Sequence, residues 1–377
     1  MIKLTENGLA PVKVLGRTSK DNPYVLFYTG SRYEMNVRAS YLSVVIRASF
    51  AMHEQWIAVL VDGAPMIRMP LVFGTNEIVI LKNRNPEREH NIRIIKETPV
   101  MPNDGDPYIE LVEILTDGEL LPVPEKSRKI VFIGDSITSG EGAAGAVSEE
   151  DWVSAVFSAC NNSSYLTAEL LDADYQAISQ SGWGVLCGYD NDLRHNLPDH
   201  YKKVCSIAYA DGPERPVRGA EEDYDFGRFK ADAVIINLGT NDGNGLTMPP
   251  FRNPVTGEEF QMKAGEGSFL SAECTSLFCE KAVAFLSAIR CSYPNARIFW
   301  AYGMLGNPME PVIKTALSLY RDLTGDEIPE YIALPAATEG SFGARWHPGL
   351  PCHKQAAQVI SHCLSAVFEK WEKGEMK

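Results

Sequence analysis

Along the first third of the chain, apolar residues come in short runs or alternate with polar ones, and turn residues interrupt them at regular intervals. Seven segments fit short strands: YVLFY (24–28), SYLSVVIRA (40–48), WIAVLVDG (56–63), APMIRMPLV (64–72), NEIVILK (76–82), HNIRIIKE (90–97) and YIELVEIL (108–115). Asp62-Gly63, between WIAVLV and the next run, predicts a tight hairpin, because Asp-Gly supplies the positive φ angles that such a turn requires. Strands at this spacing predict an antiparallel sandwich.

The pattern changes after LPVPEKSR (121–128), where two prolines and several charges predict an extended connection between domains. The expected division is 1–122 and 123–377, and the chain length also favours two cores. Beyond it, KIVFIG runs into Asp135-Ser136, ADAVIINLG runs into Thr240-Asn241-Asp242, and ARIFWAYG follows a long helical stretch. Such uniformly apolar strands are expected in a parallel sheet buried on both faces. Helices are predicted over about 270–292, with Phe278, Ala282, Phe285 and Ile289 on one face, and over about 352–371. The polar region from Cys187 to Phe229 is long for a loop and is expected to line or cover a site.

Apolar residues make up 45% of the chain and charged ones 22%, as in a globular protein. The net charge of -14 weighs against nucleic acid or an anionic membrane as partner. The apolar run at 231–238 is far shorter than the roughly 20 residues that cross a bilayer. MIKLTENGLAPVKVLGRTSKD shows no export signal, so a cytoplasmic location is expected. Eight cysteines without a CxxC pair read as free thiols, and no metal site or cofactor is expected.

The candidate chemistry starts at Gly134-Asp135-Ser136. Asp135 or Ser136 fits a helix N-cap equally well. A hydroxyl at the carboxyl end of a parallel strand, however, faces the crevice where ligands bind. A serine nucleophile needs a base. Of seven histidines, His347 in GARWHPG lies in a loop, whereas His353 and His362 fall in the last helix, His53 and His90 in the sandwich, and His195 and His200 in the polar region. Gly182 in AISQSGWGV and Asn241 in INLGTND could donate to an oxyanion, though each also reads as an ordinary turn residue. Trp183, Tyr189, Trp300 and Trp346 lie near these motifs, where large aromatics either stack on a sugar or fill the core.

In the order GDS, SGWG, GTND, WHP the motifs resemble those of the SGNH hydrolase superfamily. More narrowly, IGDSITSGEG, YDFGRFKADAVIINLGTND, PNARIFWAYGMLG and WHPGLPCHKQAA resemble carbohydrate esterase family 2, over nearly the whole chain. The resemblance implies an α/β fold: a flavodoxin-like, three-layer α/β/α hydrolase domain preceded by an antiparallel jelly-roll β-sandwich. It implies a serine esterase that removes acetyl groups from xylan, mannan or derived oligosaccharides. Ser136 would be the nucleophile and His347 the base, with the Ser136 and Gly182 backbone and the Asn241 side chain forming the oxyanion hole. Trp183, Trp346 and Trp300 would offer sugar contacts.

One position departs from the pattern. Three residues before the histidine the superfamily usually has Asp, and here stands Ala344, with Arg345 between. A Ser-His dyad is therefore expected, with Nδ1 held by a main-chain carbonyl in the 339–345 loop. Glu339, Asp242 and Asp190 are the rival carboxylates. Two other functions stay open: a lipid or thioester hydrolase of the same superfamily, and a carbohydrate-binding protein without activity. Homo-oligomerisation is left open by the residues.

Overall fold

The computed structural model describes residues 2–3, 11–102, 104–209, 218–327 and 329–372. The chain start read for an export signal, outside 2–3 and 11 onward, and residues 210–217 of the polar region lie outside the described residues. The chain divides into two compact units, one of Met1–Lys126, Trp152–Cys160 and Lys202–Tyr224, the other of Ser127–Asp151, Asn161–Tyr201 and Asp225–Lys377. A single boundary at 122/123 does not capture this division, because 152–160 and 202–224 follow that boundary yet join the first unit.

The first unit holds β1 (Ile2–Lys3), β2 (Lys13–Leu15), β3 (Val25–Leu26), β4 (Arg32–Arg38), β5 (Leu42–Ser49), β6 (Trp56–Val61), β7 (Ala64–Pro70), β8 (Gly74–Leu81), β9 (Glu89–Lys96), β10 (Tyr108–Thr116) and β11 (Glu119–Leu121). One antiparallel sheet runs β1-β10-β5-β8 with β3 on β10, and the other β11-β4-β9-β6-β7 with β2 on β4. Alternate side chains of both enter one core: Tyr33, Met35 and Val37 of β4 and Ile92 and Ile94 of β9 join Val44 and Ile46 of β5 and Ile109 and Leu111 of β10. A register shift between Leu111 and Glu113 returns Ile114 to the same core. At the β6–β7 hairpin Asp62 and Gly63 both take positive φ, 54° and 79°, as the dipeptide requires.

The second unit holds β12 (Arg128–Gly134), β13 (Ala173–Ser179), β14 (Ala233–Asn237), β15 (Phe251–Arg252), β16 (Glu259–Phe260), β17 (Arg297–Tyr302) and β18 (Glu330–Ala333). Its helices are α1 (Ser136–Ser139), α2 (Ser163–Leu170), α3 (Leu197–His200), α4 (Thr240–Asn244), α5 (Ala272–Ser292), α6 (Glu310–Thr324) and α7 (Leu350–Glu372). Five strands form one parallel sheet in the order β13-β12-β14-β17-β18. Because the order reverses after β13, right-handed crossovers put α2 on the face opposite α5 and α6. α2 packs with α7, and α5 with α6. Both sheet faces are thus covered, and β12, β13, β14 and β17 are buried over almost all their length. α5 is capped by Ser271, whose side chain accepts from the Cys274 N–H, and it buries Phe278, Ala282, Phe285 and Ile289.

Candidate active site

A sheet whose strand order reverses leaves a crevice outside the carboxyl ends of the strands on either side of the reversal. Here those strands are β12 and β14, with β13 beside them, and the loops leaving all three carry the candidate residues: Ser136, Asn241 and Gly182.

Ser136 opens α1. The capping role falls to Asp135, whose Oδ1 accepts from the Ile137 N–H at 3.0 Å, and Gly140, in the left-handed conformation, ends the turn. The Ser136 hydroxyl is thereby free of capping. Its Oγ lies 3.0 Å from Nε2 of His347, joining residues 211 positions apart.

The opposite nitrogen decides the state of the ring. Nδ1 of His347 lies 2.9 Å from the carbonyl oxygen of Arg345. A carbonyl only accepts, so Nδ1 carries the proton, and Nε2 presents its lone pair to the serine hydroxyl. None of the rival carboxylates takes that place. Glu339 is exposed, Asp190 faces His195 at 3.3 Å, and Asp242 is fully buried on other partners. Arg345 and Trp346 both adopt a φ of 57°, which costs a non-glycine residue about 1–2 kcal/mol. The turn is held by hydrogen bonds from the Arg345 N–H to Glu149 O at 2.8 Å and from the Gly343 N–H to His347 O at 2.7 Å.

Gly182 has a φ of 80°, and a Cβ there would come within 3.1 Å of the Tyr189 ring. Among the described residues no protein group accepts from the N–H of Gly182 or of Ser136. Both are available to an oxyanion. The Asn241 side-chain amide spends one hydrogen on Trp183 O at 2.9 Å, which leaves its second to donate. Asp242 has a role that the sequence did not reveal. Its carboxylate accepts from the N–H groups of Val185, Leu186 and Cys187, anchoring the loop that follows Gly182. Burial pushes the Asp242 carboxyl up to about 6, against the pull of these donors. Burial also drives Asp135 up to about 7, assisted by the charges of Asp242 and Glu141.

Two of the three expected sugar contacts need correction. Trp300 is 0% exposed and donates through Nε1 to Leu238 O, so it belongs to the core. Trp183 is 3% exposed, its ring stacked on His195 and edge-on to His200. It serves the site through its main-chain oxygen instead. Trp346 is 73% exposed, one residue from His347, and Phe342 braces it edge-on. Tyr189, beside Gly182, is 48% exposed.

The remaining histidines lie elsewhere. His90 pairs with Asp62, and His53 packs on Trp152. His353, in α7, accepts from the Ser163 N–H, and burial, with the nearby His347, drives its pKa down to about 3. Glu141 was also missed from the sequence: its Oε1 accepts from Arg345 Nε at 2.9 Å and lies 3.8 Å from His347 Nε2. The eight cysteines are all free. Among the described residues no His, Cys, Asp and Glu cluster is placed to hold a metal ion, and no helix is long and apolar enough to cross a membrane.

Several known proteins are similar to this chain. The family model described as carbohydrate esterase 2 N-terminal matches residues 14–124. The structure of an acetyl xylan esterase, Est2A, from the rumen bacterium Butyrivibrio proteoclasticus is 35% identical, with a TM-score of 0.93 over 98% of each chain. The cellulase/esterase CelE of Acetivibrio thermocellus is 26% identical over 373 residues, which cover 91% of this chain and 39% of that protein. An acetylxylan esterase / glucomannan deacetylase of Cellvibrio japonicus is 29% identical over 238 residues, 61% of each. The chain thus matches between about two fifths and three fifths of the length of these curated relatives.

Proposed function

The chain belongs to carbohydrate esterase family 2, and from that premise we propose that it is a serine esterase removing O-acetyl groups from acetylated hemicellulose, xylan or mannan, or from oligosaccharides derived from them. The observation that carries this reading is the Ser136 Oγ to His347 Nε2 contact of 3.0 Å on a ring whose Nδ1 is fixed by Arg345 O.

Nε2 takes the serine proton as Oγ attacks the acetyl carbonyl, forming the Oγ–C bond. The oxyanion that develops is met by the N–H groups of Ser136 and Gly182 and the free amide hydrogen of Asn241. As the carbonyl re-forms, the bond to the sugar oxygen breaks and the imidazolium returns its proton to that oxygen. Water, deprotonated by the same nitrogen, then attacks the acetyl-serine; the Oγ–C bond breaks, the imidazolium returns its proton to Oγ, and acetate leaves. Throughout, the positive ring is supported by a neutral carbonyl, where a carboxylate would give roughly twice the hydrogen-bond strength. Trp346 would stack on a sugar face, a reading supported by its exposure beside His347. The eight free thiols accord with a reducing compartment, and we place the enzyme in the cytoplasm; activity found in the medium of the producing cells overturns that placement.

The test is acetate release from acetylated xylo-, manno- and cello-oligosaccharides and from a chain-length series of nitrophenyl esters, with Ser136→Ala as control. Acetate release from the sugars, a preference for acetyl over longer acyl groups, and loss of both in the control are expected. A preference for long acyl chains would make it a lipid hydrolase, and binding without turnover a carbohydrate-binding protein.

A further inference from the structure

We infer that Glu141 is a positioning residue: through its ion pair with Arg345 it fixes the main-chain carbonyl that holds His347, and so supplies at one remove the carboxylate missing three positions before the histidine. The inference rests on Ser136 and His347 being the catalytic pair.

Glu141 leaves the same turn as the nucleophile, its N–H donating to Ser136 O at 3.0 Å. Its side chain is only 3% exposed, and a buried carboxylate persists where a partner compensates it. That partner is Nε of Arg345 at 2.9 Å. Arg345 is further held through Nη1 on Glu150 O at 2.7 Å and through its N–H on Glu149 O at 2.8 Å. These contacts bear on the one residue whose left-handed backbone turns its carbonyl to Nδ1, and such a conformation lasts only where its surroundings over-determine it. The nucleophile turn and the histidine loop also meet directly, since Gly142 O accepts from the Ala344 N–H at 3.3 Å, and a Cβ on Gly142 would come 2.6 Å from His347 Cβ. Glu141 Oε1 stands 3.8 Å from His347 Nε2, too far for a hydrogen bond, so it leaves that nitrogen to Ser136. Without the pair, Arg345 is free to leave its strained conformation, the carbonyl moves off Nδ1, and the ring loses its fixed tautomer and orientation.

The experiment measures kcat, KM and thermal midpoint on a nitrophenyl acetate for Glu141→Ala, Glu141→Gln, Arg345→Ala and the Glu141→Ala/Arg345→Ala double variant. A lost positioning contact of this kind is expected to lower kcat about 100-fold at unchanged KM for Glu141→Ala and for Arg345→Ala. The double variant should be no worse than either alone, as for two residues acting through one contact. Glu141→Gln, whose amide oxygen still accepts from Nε, should keep most of the activity, which a role through charge on the ring would not allow. Wild-type kcat in Glu141→Ala or in Arg345→Ala, losses that multiply, or a Gln variant as poor as the Ala variant would each overturn the inference. If Glu141→Ala does not fold, the Gln and Arg345→Ala variants decide. Loss of activity in Ser136→Ala alongside normal Glu141 and Arg345 variants refutes this inference alone, whereas an active Ser136→Ala refutes the reading beneath it.

Discussion

The carbonyl oxygen of Arg345 stands 2.9 Å from Nδ1 of His347, at the place where a triad hydrolase has a carboxylate. Substituting the rival carboxylates should therefore leave catalysis largely intact. Glu339→Ala and Asp190→Ala should show nothing near the roughly 10⁴-fold fall in kcat seen when a triad Asp is disabled. Asp242→Ala differs, because it strips the acceptor from three N–H groups and should lower the thermal midpoint as well. A 10⁴-fold loss at unchanged midpoint in any of the three would reveal a hidden triad.

Asn241 uses one amide hydrogen to hold Trp183 O, which leaves the other for the oxyanion role proposed above. Asn241→Ala should lower kcat by about 100- to 1000-fold, the usual cost of one lost donor. KM should hardly move. A large rise in KM at constant kcat would make Asn241 a ground-state substrate contact instead.

The two tryptophans Trp346 and Trp300 should fail in opposite ways. Trp346→Ala should raise KM for acetylated oligosaccharides while leaving turnover of a small alkyl acetate unchanged, since that ester has no ring face to stack. Trp300→Ala should cost about 3–5 kcal/mol of stability, as expected for emptying a core site. Equal effects of Trp346→Ala on both substrates, in a chemical denaturation-controlled assay, would remove it from the sugar site.

Sequence periodicity located most strands because the apolar side chains alternate where one sheet face is wet and run on where both are buried. β4 escaped notice although Tyr33, Met35 and Val37 alternate into the core, because Arg32, Glu34 and Arg38 between them make the segment read as polar. Ser136, Gly182, Asn241 and His347 stood out as candidates because their motifs are local and ordered along the chain. Glu141 did not, because its ion pair with the Arg345 side chain spans 204 positions. The Arg345 carbonyl falls within the 339–345 loop expected to hold Nδ1, although a carbonyl has no letter in a sequence to say which residue supplies it. Trp183 and Trp300 were misjudged for a related reason: a tryptophan near a motif reads the same whether its ring faces solvent or core.

The last expectation concerns Asp135, whose carboxyl burial pushes up to about 7, with Asp242 and Glu141 adding to the rise. In the unfolded chain an Asp titrates at about 3.9. The folded state therefore holds this proton more tightly, and the stabilisation from it is fully present below about pH 4 and is lost as pH rises through 7. His353 works in the opposite sense, because its depressed value near 3 means that stability falls as pH drops below the ordinary histidine range. The wild-type curve thus contains both slopes, and a variant is needed to separate them. Asp135→Asn keeps a side-chain oxygen to cap the Ile137 N–H and removes the titration. Its thermal midpoint, measured relative to wild type, should climb from pH 5 to about pH 7 and level off above that, because over this interval the unfolded chain has released the proton that the folded one still holds. A difference between the two proteins that stays constant across that interval would show that Asp135 is already ionised at pH 5, and that its neighbours hold the charge at no cost to the fold.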